Sequence, residues 1–262
     1  MSNPFFLNRL ASEPHALAFA GQSTPWPVAL ADETANPVLD EQLHAHVRQA
    51  QNLLYPVSAD LLATTGRPVD LFGFTPNPAK LGAAANASAS VPGIALAQLG
   101  ALIDAEELGY NPAEAKPVAV LGHSQGILAV HMVQAIREAG SVEAAAPSID
   151  EILAIASLIG IAGTRQARQL GLAARHGDAT PMLSVKDITR AQVDALIERV
   201  DGARGPIAVA VTNSATHYVL SGYPEDLAAF GVEVAKEHKH QAKLREEKVR
   251  GGRVFDPVLE YL

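Results

Sequence analysis

The stretch that most constrains this chain is Pro117–Val130, PVAVLGHSQGILAV. Val118–Leu121 is a run of four apolar residues, the pattern of a short buried strand. Gly122-His123-Ser124-Gln125-Gly126 then forms a tight turn, and a helical pattern starts at Ile127. G-x-S-x-G between strand and helix is the nucleophile elbow. So sharp a turn crowds strand against helix, and residues without a Cβ are needed on both sides of the serine; Gly122 and Gly126 supply them. Ser124 Oγ is then held at a sheet edge. The Gln125 N–H, at the helix N-terminus, points to where an oxyanion would develop. An ordinary strand–turn–helix joint with a serine in it is the other reading; strand before and helix after favour the nucleophile.

Composition narrows the rest. The chain has 262 residues, 48% of them hydrophobic and 18% charged, enough to bury a core in one or two domains. Asp and Glu number 28 against 20 Lys and Arg, a net charge of -8, which argues against a nucleic-acid partner. With no cysteine, disulfides, thiolate catalysis and cysteine-ligated zinc are excluded. MSNPFFLNRL has no charged region followed by an apolar run, so no secretory signal is expected. No apolar run reaches about 18 residues without a charge or a breaker, so no membrane span is expected. A cytoplasmic globular chain is the expectation.

In order, a loose leader covers residues 1–14, and Ala16–Ala20 is a short strand that ends at Gly21-Gln22. There the backbone could approach a ligand, or the strand could simply end; local evidence leaves both open. Pro37–Leu62 is helical, capped by Asn36, with Leu39, Leu43, Val47, Ala50 and Leu54 on one face and a break or kink at Pro56. His44 and His46, two apart, point to different faces, which suits the surface and not a shared metal; no metal site is expected. Arg67–Pro78 reads as a loop. Ser88–Leu108 is a helix with Pro92 in its first turn and a stripe of Ile94, Ala97, Leu99, Leu102 and Ile103. The helix after the elbow stops at Gly140. The next, Ile149–Leu170, is apolar almost all round and is expected to be buried.

From Pro181 the character changes. Met182–Val185, a helix Arg190–Val200 capped by Asp187 or Thr189, Ile207–Val211, His217–Leu220 and a helix Glu225–Glu237 give βαββα. One more strand, Pro257–Leu262, would complete a ferredoxin-like βαββαβ unit. Between them KEHKHQAKLREEKVRGGR carries seven basic and three acidic residues. It reads as a solvated connection that includes His238 and His240, ahead of a contact for the phosphates of a nucleotide-bearing substrate.

Together GHSQG after PVAVL, the upstream FAGQ, PMLSVKDIT…VDALI and VTNSATHYVLSG resemble the acyltransferase domains of fatty acid and polyketide synthases. With SLIGIAGT and KVRGGRVFDPVLEYL, the likeness is closest to the N-terminal acetyltransferase domain of bacterial type I fatty acid synthases of the mycobacterial and corynebacterial kind. It runs from Phe19 to Leu262. It implies an α/β fold: an α/β-hydrolase-like acyltransferase subdomain, 1–180, with an inserted ferredoxin-like subdomain, 181–262, incomplete at the C-terminus, and the active site in the cleft between them. It also implies a ping-pong reaction. Ser124 takes acetyl from acetyl-CoA and passes it to the phosphopantetheine thiol of an acyl carrier protein, with backbone N–H groups of Gln22 and Gln125 as oxyanion hole.

The resemblance places Ile159, His123 and Asn213 in the acyl pocket. Malonyl-transferring relatives hold the substrate carboxylate with an arginine where this chain has Ile159, and Arg165 is more than a helical turn further on. A malonyl carboxylate buried there would lose its partner, whereas acetyl fits. The family's catalytic histidine lies just beyond the last strand seen here, so the chain is expected to be cut before it. His217, His238 and His240 are poor substitutes, and the piece alone is expected to turn over little. The domain itself needs no cofactor. The implied parent is a homo-hexameric synthase using NADPH, FMN and phosphopantetheine, whose other domains and carrier protein are the partners. A serine esterase or thioesterase, or a structural segment of a multienzyme, are the competing readings; no nucleic acid or membrane enters any of them.

Overall fold

The computed structural model describes residues 10, 12–21, 26–65, 87–169, 181–200, 205–246 and 255–261. The expected leader up to residue 9, the loop Arg67–Pro78, Gln22 and the end of the basic run lie outside them. The chain packs as two units, Met1–Arg165 and Gln166–Leu262.

In the first unit, β1 (Ala16–Phe19) is followed by helices α1 (Trp26–Glu33), α2 (Pro37–Thr65), α3 (Ala87–Glu107) and the single-turn α4 (Pro112–Ala115). Then come β2 (Ala119–Gly122), a 3₁₀ turn (Ser124–Gly126), α5 (Ile127–Ala139) and α6 (Val142–Gln169). β1 and β2 pair in parallel, Ala16 opposite Ala119 through Phe19 opposite Gly122. β2 is less buried than its apolar run predicts: Val118 is 73% and Leu121 59% exposed. The sheet has two strands among the described residues, so among them β2 has a strand neighbour on one edge only.

The core of this unit is helical. Leu30, Leu39, Leu43, Leu99, Met132, Ile136, Ile149 and Leu153 from five helices form one cluster. Asn36 caps α2 as expected, its Oδ1 accepting from Val38 N at 3.1 Å. The helix does not stop at Pro56 but runs on to Thr65; a proline inside a helix removes one hydrogen bond without ending the run where neighbouring turns hold. α3 starts at Ala87, so Pro92 sits in its second turn and not its first, and every residue from Ser90 to Gly100 is buried.

Two readings of side chains need correction. His46 is not a surface residue: its Nδ1 lies 2.6 Å from Asp150 Oδ1, both side chains 11% exposed, joining α2 to α6. Sequence spacing showed the helix face but not the carboxylate that meets it. α6 is not buried all round either. Ile149, Leu153 and Ala156 enter the core while Ile155, Leu158 and Ile159 stand exposed. By length and composition its stretch Val142–Gly163, of mean hydropathy 1.6, could cross a membrane, and 44% of the measured window is buried within the protein. Its inward face is that of a core helix.

Trp26 lies flat on α3 at Gly93, where a Cβ would come within 2.5 to 2.8 Å of three indole carbons. Gly93→Ala sets two effects in opposition: alanine favours a helix by up to about 1 kcal/mol, and overpacking a rigid ring costs about 1–3 kcal/mol. Net destabilisation is expected, with a red shift in the emission of Trp26, the only tryptophan. Urea unfolding followed by that emission checks both.

The second unit is β3 (Met182–Lys186), α7 (Arg190–Ile197), β4 (Ala208–Ser214), β5 (His217–Ser221), α8 (Pro224–Glu246) and β6 (Val258–Tyr261). The sheet order is β4-β5-β3-β6, every pairing antiparallel. This is the βαββαβ arrangement, and β6 is its fourth strand. Thr189 starts α7 with a capping box to Gln192. Leu183, Val185, Tyr218 and Leu220 point to one face and pack with Val193, Leu196, Leu227 and Phe230, the period-two pattern of a sheet with one helix-covered face. α8 runs nine residues beyond the expected end at Glu237, so the first part of the basic run is helix and not a connection. His238 is engaged there, its Nδ1 2.7 Å from the Phe255 carbonyl oxygen. The architecture as a whole is mixed α/β, with a small antiparallel-sheet subdomain.

Candidate active site

The elbow forms as its glycines predict. β2 ends at Gly122, Ser124 takes the left-handed φ of 54°, and α5 begins at Ile127. A non-glycine residue held there costs about 1–3 kcal/mol and persists only where the surroundings impose it. They do. A Cβ on Gly122 would lie 2.6 Å from the Gly126 carbonyl and from Ile127 N. A Cβ on Gly126 would run into the Phe19 carbonyl oxygen, 2.8 Å from Phe19 C and 2.9 Å from Ala20 O. Two backbone bonds close the joint, His123 N to Phe19 O and Gly126 N to His123 O, each 2.9 Å.

The end of β1 meets this turn directly. A Cβ at Gly21 would be 2.7 Å from Ser124 Cβ, 2.7 Å from His123 O and 3.2 Å from Gln125 N. Glycine is therefore required at position 21 by close approach, the reason one of the two local readings gave for it. The strand end is held from the far side by Gln98 of α3, whose Nε2 donates to Ala20 O at 2.7 Å. At the start of β1, His15 Nε2 lies 2.5 Å from the Tyr110 hydroxyl, whose pKa burial pushes up. Gln98 was not found by sequence reasoning. It sits inside a buried helical run, and only the fold shows which backbone its amide reaches.

Ser124 and His123 are exposed, Gln125 is half-buried and Gly126 buried. The Gln125 amide N–H sits at the first turn leading into α5, its nitrogen 3.2 Å from where a Cβ on Gly21 would stand. Gln125 Oε1 is buried and has no hydrogen-bond partner among the described residues. An exposed hydroxyl beside an open backbone donor at a helix start can attack a carbonyl carbon and stabilise the oxyanion that forms. Gln22, the other expected donor, lies outside the described residues.

Ile159 is on α6 of the first unit and 52% exposed, so it is not plain core. Asn213 belongs to the second unit, on β4, where its Nδ2 is 3.4 Å from His217 Nε2. His217 Nε2 is also 3.1 Å from Ser184 Oγ. That Ser–His pair is not a second nucleophile: Ser184 is 2% exposed in the middle of β3, with no elbow to present it. Among the described residues no hydrogen bond joins Ser124 to a histidine.

Residues 181–261 match the family described as the fatty acid synthase central AT domain, a span that takes in all six elements of the second unit. The fatty acid synthase beta subunit hexB of Dothistroma septosporum is 31% identical over 128 residues, 44% of this chain and 7% of that protein. Among solved structures, the malonyl CoA-acyl carrier protein transacylase of Coxiella burnetii is 16% identical with a TM-score of 0.49, covering 86% of this chain and 58% of that one. The acyl-carrier-protein-S-malonyltransferase of Bartonella henselae is 20% identical with a TM-score of 0.45, covering 86% and 60%. The chain thus spans under two thirds of each of these relatives. It is similar to the acyltransferases of fatty acid synthesis.

Proposed function

We propose that this chain belongs to an acetyltransferase of a fatty acid synthase. Ser124 Oγ attacks the thioester carbonyl of acetyl-CoA, the C–S bond breaks, and CoA leaves as the thiol with the proton the serine gave up. The phosphopantetheine thiol of an acyl carrier protein then takes the acetyl group by the reverse chemistry, and Ser124 regains a proton. The observation that carries this reading is Ser124 held at φ 54° with Gly21 packed against it. The family match over residues 181–261 supports the setting. No cofactor enters the transfer. The remaining domains of the synthase, and its cytoplasmic location, belong to the same proposal.

Acetyl is preferred over malonyl because Ile159 offers a carboxylate nothing to pair with. A desolvated carboxylate without its partner loses several kcal/mol, whereas a methyl group loses nothing. We place the general base outside the described histidines, since no hydrogen bond joins any of them to Ser124. His46 is committed to Asp150, His238 to Phe255 O, and His217 to Ser184. Without such a base acylation is slow.

Intact-mass spectrometry under single-turnover conditions tests the proposal, on this chain beside a longer one continuing past Leu262. The longer form is expected to take acetyl at least tenfold faster than malonyl, about 1.4 kcal/mol, and Ile159→Arg is expected to shift the preference toward malonyl. Equal labelling by both thioesters overturns the role of Ile159. Rapid acetylation of the shorter chain overturns the statement about the base. Release of free acetate without transfer to a carrier thiol favours an esterase.

A further inference from the structure

The carboxyl of Glu33, at the end of α1, is turned into the protein. It lies over Gly100 of α3, where a Cβ would stand 2.6 Å from Glu33 Cδ. Its Oε2 is buried and has no hydrogen-bond partner among the described residues. The charges that face it are of its own sign, Asp104 from α3 and Asp32 from α1. Neither helix has a cation to give, since WPVALADE and ASASVPGIALAQLGALIDAEE contain no Lys, Arg or His. A carboxylate there would be desolvated, unpaired and repelled. Burial, and then Asp104 and Asp32, push this group up to about 8.

α1 rests on α3 at two places. Trp26 lies on Gly93 and Glu33 on Gly100, glycines seven residues apart and so on one face of α3. Trp26 follows Gly21 by five residues, and Gly21 is packed against Ser124. We propose that neutral Glu33 seats α1 on α3, and that its ionisation loosens α1 and, through it, the strand end beside Ser124. Glu33 is a positioning residue, not a catalytic one. Its link to Ser124 rests on the acyl-transfer reading; the seating of α1 does not.

The sign follows from linkage. Seated α1 holds a proton that an unseated Glu33 would lose, so seating is firmest below the usual carboxylate value of 4.5. It weakens by up to about tenfold per pH unit until pH reaches about 8, and changes little above that.

Hydrogen exchange of α1 amides, as protection factors referred to those of α5, reads this in the full chain. Protection of α1 is expected to fall between about pH 6 and 8 by up to about tenfold per unit, with rising acrylamide quenching of Trp26. In Glu33→Gln, the neutral isostere, both are expected to be flat. Gly100→Ala, which drives the carboxyl out to water, is expected to be flat too and serves if the first variant does not fold. Flat protection in the wild type, or the same fall in Glu33→Gln and Gly100→Ala, overturns the proposal. For the link to the site, the ratio of Ser124 acylation in wild type to that in Glu33→Gln should fall over the same pH range. A constant ratio overturns the link. That ratio is read in the longer form that continues past Leu262, where no acylation at any pH counts against the acyl-transfer reading and leaves the α1 result standing.

Discussion

In the longer form that continues past Leu262, Ser124→Ala is expected to take no acyl group from acetyl-CoA, a loss on the order of a millionfold, by the scale of removing a serine nucleophile elsewhere. The expectation is large because nothing else among the described residues is placed to do the work. Ser124 is exposed at the turn, and the backbone N–H that would hold the oxyanion opens beside it. Ser184, which is hydrogen-bonded to His217, is 2% exposed. The fold should survive the change. Serine and alanine pay about the same 1–2 kcal/mol for a left-handed backbone, so the strain at φ 54° is common to both. Circular dichroism should show an unchanged melt, and mass spectrometry no acetyl adduct. An adduct that persists in Ser124→Ala and maps to another peptide would end the assignment of Ser124 as nucleophile.

How much of this could be read from the sequence follows from the range of each interaction. The elbow was legible because its cause is local. Strand, turn and helix are contiguous, and the crowding that demands Gly122 arises within one short stretch, whereas that at Gly126 comes from the end of β1 and was marked only by the motif. The caps at Asn36 and Thr189 were legible for the same reason, since each bonds a backbone N–H two or three residues on. The second unit was legible as an order of elements, because a two-residue period and a helical period alternate cleanly from Met182 onward.

What was missed depends on partners far along the chain. Asp150, which takes His46 out of the surface, is 104 residues away. Ala20, which Gln98 holds, is 78 residues away. The apolar composition of α6 carried no sign of which face would lack a neighbour, so Ile155 and Ile159 read as core. α1 and its acidic end were not read from the sequence at all. Only packing on a helix without a cation makes Glu33 a buried acid.

Gly126→Ala is expected to be the most damaging of the single-methyl changes at the elbow. Gly126 has an ordinary helical φ of -59°, so alanine meets no backbone strain there. The whole penalty is contact, and the contacts are backbone: the Phe19 carbonyl, with Phe19 C at 2.8 Å and Ala20 O at 2.9 Å. A side-chain neighbour could rotate away, but a strand end pinned by the β1–β2 pairing and by Gln98 cannot. The cost is expected near the top of the overpacking range, about 3 kcal/mol, or roughly 6–12 °C in the melting temperature for a unit of this size. Gly140 is the control with the opposite physics. Its φ is 98° and a Cβ there would meet nothing within 4 Å, so Gly140→Ala carries only the left-handed penalty of about 1–2 kcal/mol. Thermal unfolding of the two variants separates the causes, and Ser124 acylation adds a second readout. Gly126→Ala displaces the backbone that carries Gly21 and should slow acylation, while Gly140→Ala, at the far end of α5, should lower the melt and leave acylation alone. Equal damage from both would mean that the end of β1 gives way freely at the turn, and that Gly21 is not held against Ser124 as tightly as the geometry requires.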